Sequence, residues 1–304
     1  MPLALAEPIP PALAALQGAA EAIWLASHTD WPTLTLDVLP EIGSTNTELM
    51  QRGRQGDTAP TLVTALRQTA GRGRLGRVWT AEPGATLTFS LGLPLRLEAV
   101  PGGGGALSLA VGLAVAEALD QGLSQWLVTE GGASAGTALP ALGLKWPNDL
   151  WLGERKLGGI LIEATAAPGL DAGQRWVVIG IGLNVRAAPE GAACLADALR
   201  PLGLSCPDIG TVWAWIAPTL LQAIAAFETQ GFAPRQAAFA ARDVLAGRPV
   251  ALWTTPGLGP ADGAPPNEQG LAIGVDAQGT LQVQTDVGLR CWSTGEVSVR
   301  PQAS

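Results

Sequence analysis

Hydrophobic and polar positions alternate strictly along residues 85–93, the stretch ATLTFSLGL. Leucine or phenylalanine occupies every second position from Leu87 to Leu93, and threonine, serine and glycine occupy the positions between them. A period of two places successive side chains on opposite faces of an extended chain. The stretch therefore predicts a half-buried β-strand in an antiparallel or mixed sheet.

Three other stretches carry the period of an amphipathic helix. They are residues 106–121, residues 211–231 and a shorter segment at 234–247. Pro218 lies inside the second stretch, and because proline lacks a backbone N–H it predicts a kink or a late start there. The Ala/Leu-rich beginning of the chain predicts a leader followed by a short amphipathic helix.

Short apolar runs separated by turns fill the rest of the chain. LGLKWPNDLWL, GGILIEA and RWVVIGIGLNV predict adjacent strands, and five short runs after Gly247 predict a small all-β unit with DAQG as a hairpin turn. We therefore divide the chain into an N-terminal extension (1–34), a central domain (35–246) and a C-terminal domain (247–304). The segment GGASAG (131–136) is expected to be a disordered loop insertion.

Composition narrows the classes of function. The 304 residues carry a formal net charge of -8, which argues against a general binder of nucleic acids or membrane surfaces. Three cysteines without C-x-x-C spacing and one histidine argue against disulfides or a His/Cys metal site, and they favour the cytoplasm. No membrane span is predicted, because the apolar stretch at 106–121 is short and charged.

The glycines of GRGRLGR (71–77) match the G-x-G-x-x-G pattern of dinucleotide-binding loops. Such a loop opens a helix, whereas here Pro83 and Gly84 break the chain and a strand follows. A P-loop would need a lysine after the glycines, and none is present. Three arginines among these glycines instead predict a hinged loop that binds carboxylate or phosphate groups. An ordinary solvated turn is the alternative.

Lysine is used at two positions only. Of the 18 lysines and arginines, Lys145 and Lys156 alone are lysine. An ammonium is a compact point charge that the planar guanidinium of arginine does not copy, so both positions are candidate site residues. Chance clustering is the alternative.

Five motifs and the end of the chain together resemble the biotin–protein ligases over about residues 35–300. The motifs are STN (44–46), QTAGRGRLGRVW (68–79), KWPNDL (145–150), KLGGILIE (156–163) and GIGLNV (180–185), and the end reads GRPV…GEVSVR. The resemblance implies an α/β (α+β) fold. A mixed sheet flanked by helices, like that of class II synthetases, would be followed by a small SH3-like β-barrel.

The resemblance also implies an activity. A ligase of this family activates biotin with Mg-ATP to biotinyl-5′-AMP and then transfers biotin to one lysine of a biotin carboxyl carrier domain of a carboxylase. ATP, Mg²⁺ and biotin are therefore the expected ligands. The resemblance is compatible with a homodimer formed through the sheet, and the sequence leaves monomer and dimer open.

Residue roles follow from the matching motifs. Lys156 is expected to bridge the biotin carboxylate and the α-phosphate, and Arg74 to act with it in the loop that closes over the adenylate. The residues expected to bind biotin are Ser44, Thr45, Asn46, Gln68, Gly71, Arg72, Gly73, Arg74, Lys156 and Gly159. Those expected to bind ATP are Arg74, Arg77, Trp79, Lys145, Asn148, Asp149 and Asn184. No side chain is assigned as a metal ligand, and STN is also a good helix N-cap.

Two alternatives stay open. A lipoate–protein ligase would share the sheet and the lysine, and a ligase that is also a biotin-sensing repressor would add DNA binding. Residues 1–51 contain no lysine or arginine, so a basic recognition helix is not expected there. We therefore expect no DNA-binding domain in residues 1–34.

Overall fold

The computed structural model describes residues 9–130, 139–254, 263–293 and 298–301. The predicted loop insertion at 131–136 lies outside the described residues. Two β-sheets organise the described chain, one of seven strands and one of five. The larger sheet carries the predicted site, and the smaller one packs beside it.

The seven-stranded sheet is mixed, as predicted. Its strands are β1 (Thr35–Ile42), β2 (Thr61–Gln68), β3 (Thr86–Leu95), β4 (Leu142–Lys145), β5 (Asp149–Leu152), β6 (Arg155–Thr165) and β7 (Arg175–Asn184). They lie in the order β1-β2-β3-β7-β6-β5-β4, with β1 and β2 parallel and all other neighbours antiparallel. The three apolar runs predicted to be adjacent strands form four strands. The first run folds into β4 and β5, and the other two form β6 and β7.

Helices cover both faces of this sheet. They are α1 (Pro11–Ser27), α2 (Thr45–Arg54), α3 (Leu107–Thr129), α4 (Ala196–Leu199), α5 (Ile209–Gln230) and α6 (Gln236–Ala240). Helices α1, α3 and α5 pack together on one face, which we call the back, and α2 lies on the opposite, front face. Helix α5 begins at Ile209 and continues through Pro218, so it does not start late, and α6 is shorter than the predicted helix.

Two of these helices are long and apolar enough, by length and composition, to cross a membrane. They are α3 with the 3-10 turn before it (Gly104–Thr129) and α5 (Ile209–Gln230), and 78% and 50% of their most apolar segments are buried inside the fold. The first helix is longer than the apolar stretch at 106–121 from which it was predicted. The argument that this stretch is too short to span a membrane was therefore wrong. Burial against the back of the sheet accounts for the apolar composition of both helices.

Strand β3 is buried on both faces, so the prediction of a half-buried strand was wrong. Leu87, Phe89 and Leu91 enter the large core on the back of the sheet, as the alternation predicted. Thr88 and Ser90 point to the front, yet they are also buried. The reason is that α2 and the 71–77 loop lie over that face, and polar side chains there can serve a ligand site.

The small all-β unit is confirmed as a five-stranded antiparallel sheet. Its strands β8 (Pro249–Trp253), β9 (Glu268–Val275), β10 (Leu281–Thr285), β11 (Gly288–Trp292) and β12 (Ser298–Pro301) lie in the order β11-β10-β9-β8-β12. The DAQG turn joins β9 to β10, as predicted, and the Trp146 indole donates to the Gly279 carbonyl at 3.1 Å. This contact ties the small sheet to the turn between β4 and β5.

Candidate active site

A cavity of about 390 Å³ opens on the front face of the larger sheet. It is bounded by the start of α2, the 71–77 loop and strands β3, β6 and β7. Every predicted site residue except Gly71 lines it: Ser44, Thr45, Asn46, Gln68, Arg72, Gly73, Arg74, Arg77, Trp79, Lys145, Asn148, Asp149, Lys156, Gly159 and Asn184. The structure thus brings together motifs that lie up to 140 positions apart in the sequence.

Gly71 closes the loop rather than lining the cavity. Its carbonyl accepts the backbone N–H of Trp79 at 3.0 Å, and a Cβ on Gly71 would collide with the Trp79 carbonyl. Between these ends, the Gly73 N–H donates to the Arg77 carbonyl at 2.7 Å and Gly76 has φ +71°. The loop is a tight reversal that leads to β3 and not to a long helix, so rejection of the dinucleotide-binding interpretation is confirmed.

The start of α2 builds a polar floor. Ser44 is the N-cap of this helix, as its motif predicted, because its Oγ accepts the backbone N–H three residues on at 3.4 Å. The Thr45 N–H donates to Gln68 Oε1 at 2.8 Å, and the Thr45 and Ser90 hydroxyls lie 2.7 Å apart. Ser90 in turn donates to Asn46 Oδ1 at 2.6 Å. Hydroxyl and amide groups are therefore held in fixed positions at this end.

Two lysines share one carboxylate at the opposite end. Lys156 Nζ lies 2.6 Å from Asp149 Oδ1, and Lys145 Nζ lies 3.6 Å from Asp149 Oδ2. Burial lowers the pKa of Lys145 to about 8. Burial alone would raise the pKa of Asp149, but Lys156 and Lys145 hold it below its usual range. Asp149 is therefore ionised and orients both ammonium groups.

Further cations surround this group. Arg74 Nη1 donates to Asn148 Oδ1 at 3.0 Å, and the Asn148 amide donates to the Ile160 carbonyl at 2.9 Å. Arg77 and Arg300 also line the cavity. Since Asp149 is the one acidic residue among the described lining residues, the cavity is strongly positive although the chain as a whole is acidic. Such a cavity suits an anionic ligand.

The Trp79 ring packs against β7 at Gly182. A Cβ on Gly182 would collide with the Trp79 ring, and Lys156 Nζ lies 5.8 Å from the ring centroid. Among the described residues, the buried Trp79 Nε1 and Asn184 Oδ1 have no hydrogen-bond partner. Both residues line the cavity, where a bound ligand would offer these atoms a partner; five other buried side-chain atoms elsewhere in the described residues also have none.

Several residues that line or shape the cavity were missed by sequence reasoning. Thr88 and Ser90 line the cavity, and the polar positions of the alternating strand were a signal for them. Gly180 lets Asn46 approach β7, since a Cβ there would collide with Asn46 Oδ1. Arg300, the last residue of the quoted GEVSVR stretch, reaches the cavity from β12, and the motif had not been assigned to the site. Trp146 and Trp151 are buried packing residues, as predicted.

The described residues contain no group of three or more His, Cys, Asp or Glu side chains that could hold a metal ion. Asp149, the carboxylate in the cavity, is already engaged by two ammonium groups.

Comparisons with known proteins agree with this geometry. Residues 38–184 match the Biotin/lipoate A/B protein ligase family, and residues 267–300 match the Biotin protein ligase C terminal domain. A Bifunctional ligase/repressor BirA of Escherichia coli (strain K12) is 33% identical over 266 residues, which cover 86% of this chain and 73% of that relative. This chain belongs to the biotin–protein ligase family.

Two other members extend the comparison. A Biotin--[acetyl-CoA-carboxylase] ligase of Paracoccus denitrificans is 30% identical over 86% of this chain and 98% of its own length. The solved structure of a biotin protein ligase from Aquifex aeolicus in complex with biotin and ATP matches with a TM-score of 0.64 and 26% identity. That match covers 88% of this chain and 99% of the other. The family's mixed sheet with a small C-terminal sheet is thus the fold observed here.

Proposed function

We propose that this chain is an ATP-dependent biotin–protein ligase that makes biotinyl-5′-AMP and transfers biotin to a lysine of a biotin carboxyl carrier domain. The observation that carries the proposal is one cavity with a neutral polar floor at one end and clustered cations at the other. The neutral end suits an uncharged cyclic urea, and the cationic end suits a carboxylate beside phosphates. Relatives named as ligases for biotin support it.

In the first step, a biotin carboxylate oxygen attacks the α-phosphorus of ATP and pyrophosphate leaves. Two anions must approach each other, so fixed positive charge lowers the barrier. Lys156 is 39% exposed and held by Asp149, which lets its ammonium contact both anions. Arg74, held by Asn148, contacts the adenylate from the loop, and Arg77 and Lys145 contact the outgoing phosphates. Gly159 keeps β6 bare beside Lys156.

In the second step, the neutral ε-amine of the carrier lysine attacks the acyl carbon of the anhydride. The C–N bond forms, the C–O bond to phosphate breaks, and AMP leaves with the electron pair. The nitrogen releases a proton. Gly73 and the rest of the loop exclude water from the anhydride until the carrier arrives. Trp79 provides a flat apolar face for the adenine, with Asn184 beside it.

Arg300 supplies charge from the C-terminal sheet, which gives that sheet a role in binding the triphosphate. Mg²⁺ enters as part of the Mg-ATP substrate and is held mainly by phosphate oxygens, because Asp149 is neutralised by lysines. The three cysteines are free thiols, in keeping with the cytoplasm as the site of action. Self-association through β1, an edge strand of the larger sheet, would give the homodimer.

Lipoate ligation is the first alternative, since the family description names both biotin and lipoate. The match of residues 267–300 to a biotin protein ligase domain favours biotin. Thermal shift with biotin against lipoate, each with Mg-ATP, tests the choice. We expect biotin to raise the melting temperature and to support exchange of labelled pyrophosphate into ATP. A response to lipoate alone would refute the proposal.

Repression is the second alternative, since the Escherichia coli relative is named as both ligase and repressor. Ahead of β1, the described residues form one helix, α1, which packs against α5. A single packed helix without basic residues does not provide a recognition helix, so we propose the ligase activity alone. A gel shift that shows a discrete, biotin-stimulated and sequence-dependent complex would contradict this.

A further inference from the structure

One carboxylate just outside the cavity hydrogen-bonds to residues on two sides of it, the 71–77 loop and the start of α2. Glu163, near the end of β6, accepts from Arg72 Nη2 at 2.9 Å and from Arg72 Nη1 at 3.2 Å. It also accepts from Asn46 Nδ2 at 3.1 Å. Its side chain is 21% exposed, and Glu163 is not itself among the lining residues. The same group therefore contacts the loop and the polar floor.

We propose that Glu163 is a positioning residue that sets Asn46 and Arg72 for biotin binding, an inference that rests on the proposed function. The Asn46 amide is fixed at both ends, because Oδ1 accepts from Ser90 while Nδ2 donates to Glu163 at 3.1 Å and to the Leu161 carbonyl at 3.4 Å. Gly180 leaves the space that this orientation needs. The carboxylate is the closer of the two acceptors that fix which atom of Asn46 faces the ligand.

The arrangement also connects the loop to the floor. Hydrogen bonds run from Arg72 through Glu163 and Asn46 to Ser90, whose hydroxyl meets that of Thr45. A carboxylate suits the junction because it offers several acceptor sites and a charge opposite to the guanidinium. Glutamine would keep one acceptor for the Asn46 amide and lose the charge, whereas alanine would lose both. The two substitutions therefore separate the two contacts.

Trypsin offers a measurement that needs no ligand, because it cuts after Arg72, Arg74 and Arg77 in the loop. We expect Glu163→Gln and Glu163→Ala to raise the rate of cleavage in the loop by roughly fivefold, the size of effect typical of a partly exposed ion pair. Glu117→Gln is the matched control, since it removes a pair of similar exposure with Arg235 on the back of the molecule. Cleavage after arginines outside the loop reports any general loss of stability.

Biotin binding supplies the second measurement. We expect Glu163→Ala to raise the KM for biotin by about tenfold and Glu163→Gln to raise it less, with the KM for ATP near the parent value. Loop cleavage and a biotin KM for Glu163→Ala that both equal those of the Glu117→Gln control would overturn the proposal. A parent protein that does not bind biotin would refute the proposed function instead, and the trypsin comparison would still test the hold of Glu163 on the loop.

Discussion

Replacement of Lys156 is the perturbation that the site geometry defines best. Its ammonium is fixed at 2.6 Å from Asp149 Oδ1 and faces the positive end of the cavity. Removal of one such preorganised charge typically costs about 100- to 1000-fold in rate, or roughly 3–4 kcal/mol of transition-state stabilisation. We therefore expect Lys156→Ala to lose that much biotin-dependent pyrophosphate exchange.

Stability should change far less than activity. Removing one partner of a fully buried pair costs about 3–5 kcal/mol, but Lys156 is 39% exposed and Lys145 still lies 3.6 Å from Asp149. Solvent screening reduces the expected loss to about 1 kcal/mol. Adding Asp149→Asn leaves the buried Lys145 ammonium without its partner, so we expect it to lower the melting temperature of Lys156→Ala further and not to restore exchange.

The arginine variant is the decisive comparison. Lys156→Arg keeps the charge, yet its broad planar group cannot occupy the position between two anions that a point charge takes. We expect an exchange rate close to that of the alanine variant, measured at saturating biotin and Mg-ATP. Exchange near the parent rate would show that Lys156 provides only general positive charge and that the catalytic centre is assigned incorrectly.

Two further predictions concern the two ends of the cavity. Burial lowers the pKa of Lys145 from 10.5 to about 8, so the folded protein loses this proton as the pH rises through 8 while the unfolded chain keeps it. The cost of burying the charge is therefore relieved above pH 8. Because the neutral Lys145 amine no longer attracts the phosphates, the KM for ATP should rise above pH 8 while the KM for biotin stays level. An ATP KM that stays level as well would refute this. Gly180→Ala should push Asn46 aside and raise the KM for biotin about tenfold, whereas Gly182→Ala should displace Trp79 and raise the KM for ATP instead. Equal effects of both variants on both substrates would contradict the division of the cavity.

Sequence patterns predicted the parts of the site that are local. The rarity of lysine indicated Lys145 and Lys156, and spacing alone showed that the 71–77 loop leads to a strand. The pairing of both lysines with Asp149 was not predictable from the sequence, because β4, β5 and β6 come together only when the sheet forms. Motif matching assigned Asp149 to the nucleotide, and the structure adds that it pairs with both lysines.

Long-range contacts account for most of what was missed. The alternation of β3 predicted its two faces correctly but not that both are buried, since burial depends on α2 and the loop. Glu163 and Arg300 end two of the quoted motifs, KLGGILIE and GEVSVR, but neither motif indicated what the side chain contacts. Arg300 lines the cavity from β12, and Glu163 contacts Arg72 and Asn46 far earlier in the chain, so both placements are created by the fold.

The central claim is that this cavity activates biotin and delivers it to a carrier lysine. Incubation of the protein with biotin, Mg-ATP and a biotin carboxyl carrier domain, followed by intact-mass measurement of the carrier, tests both steps at once. We predict a mass increase of one biotinyl group on a single lysine of the carrier, dependent on ATP and lost with Lys156→Ala. A carrier whose mass is unchanged, or one modified equally by the Lys156→Ala variant, would contradict the account.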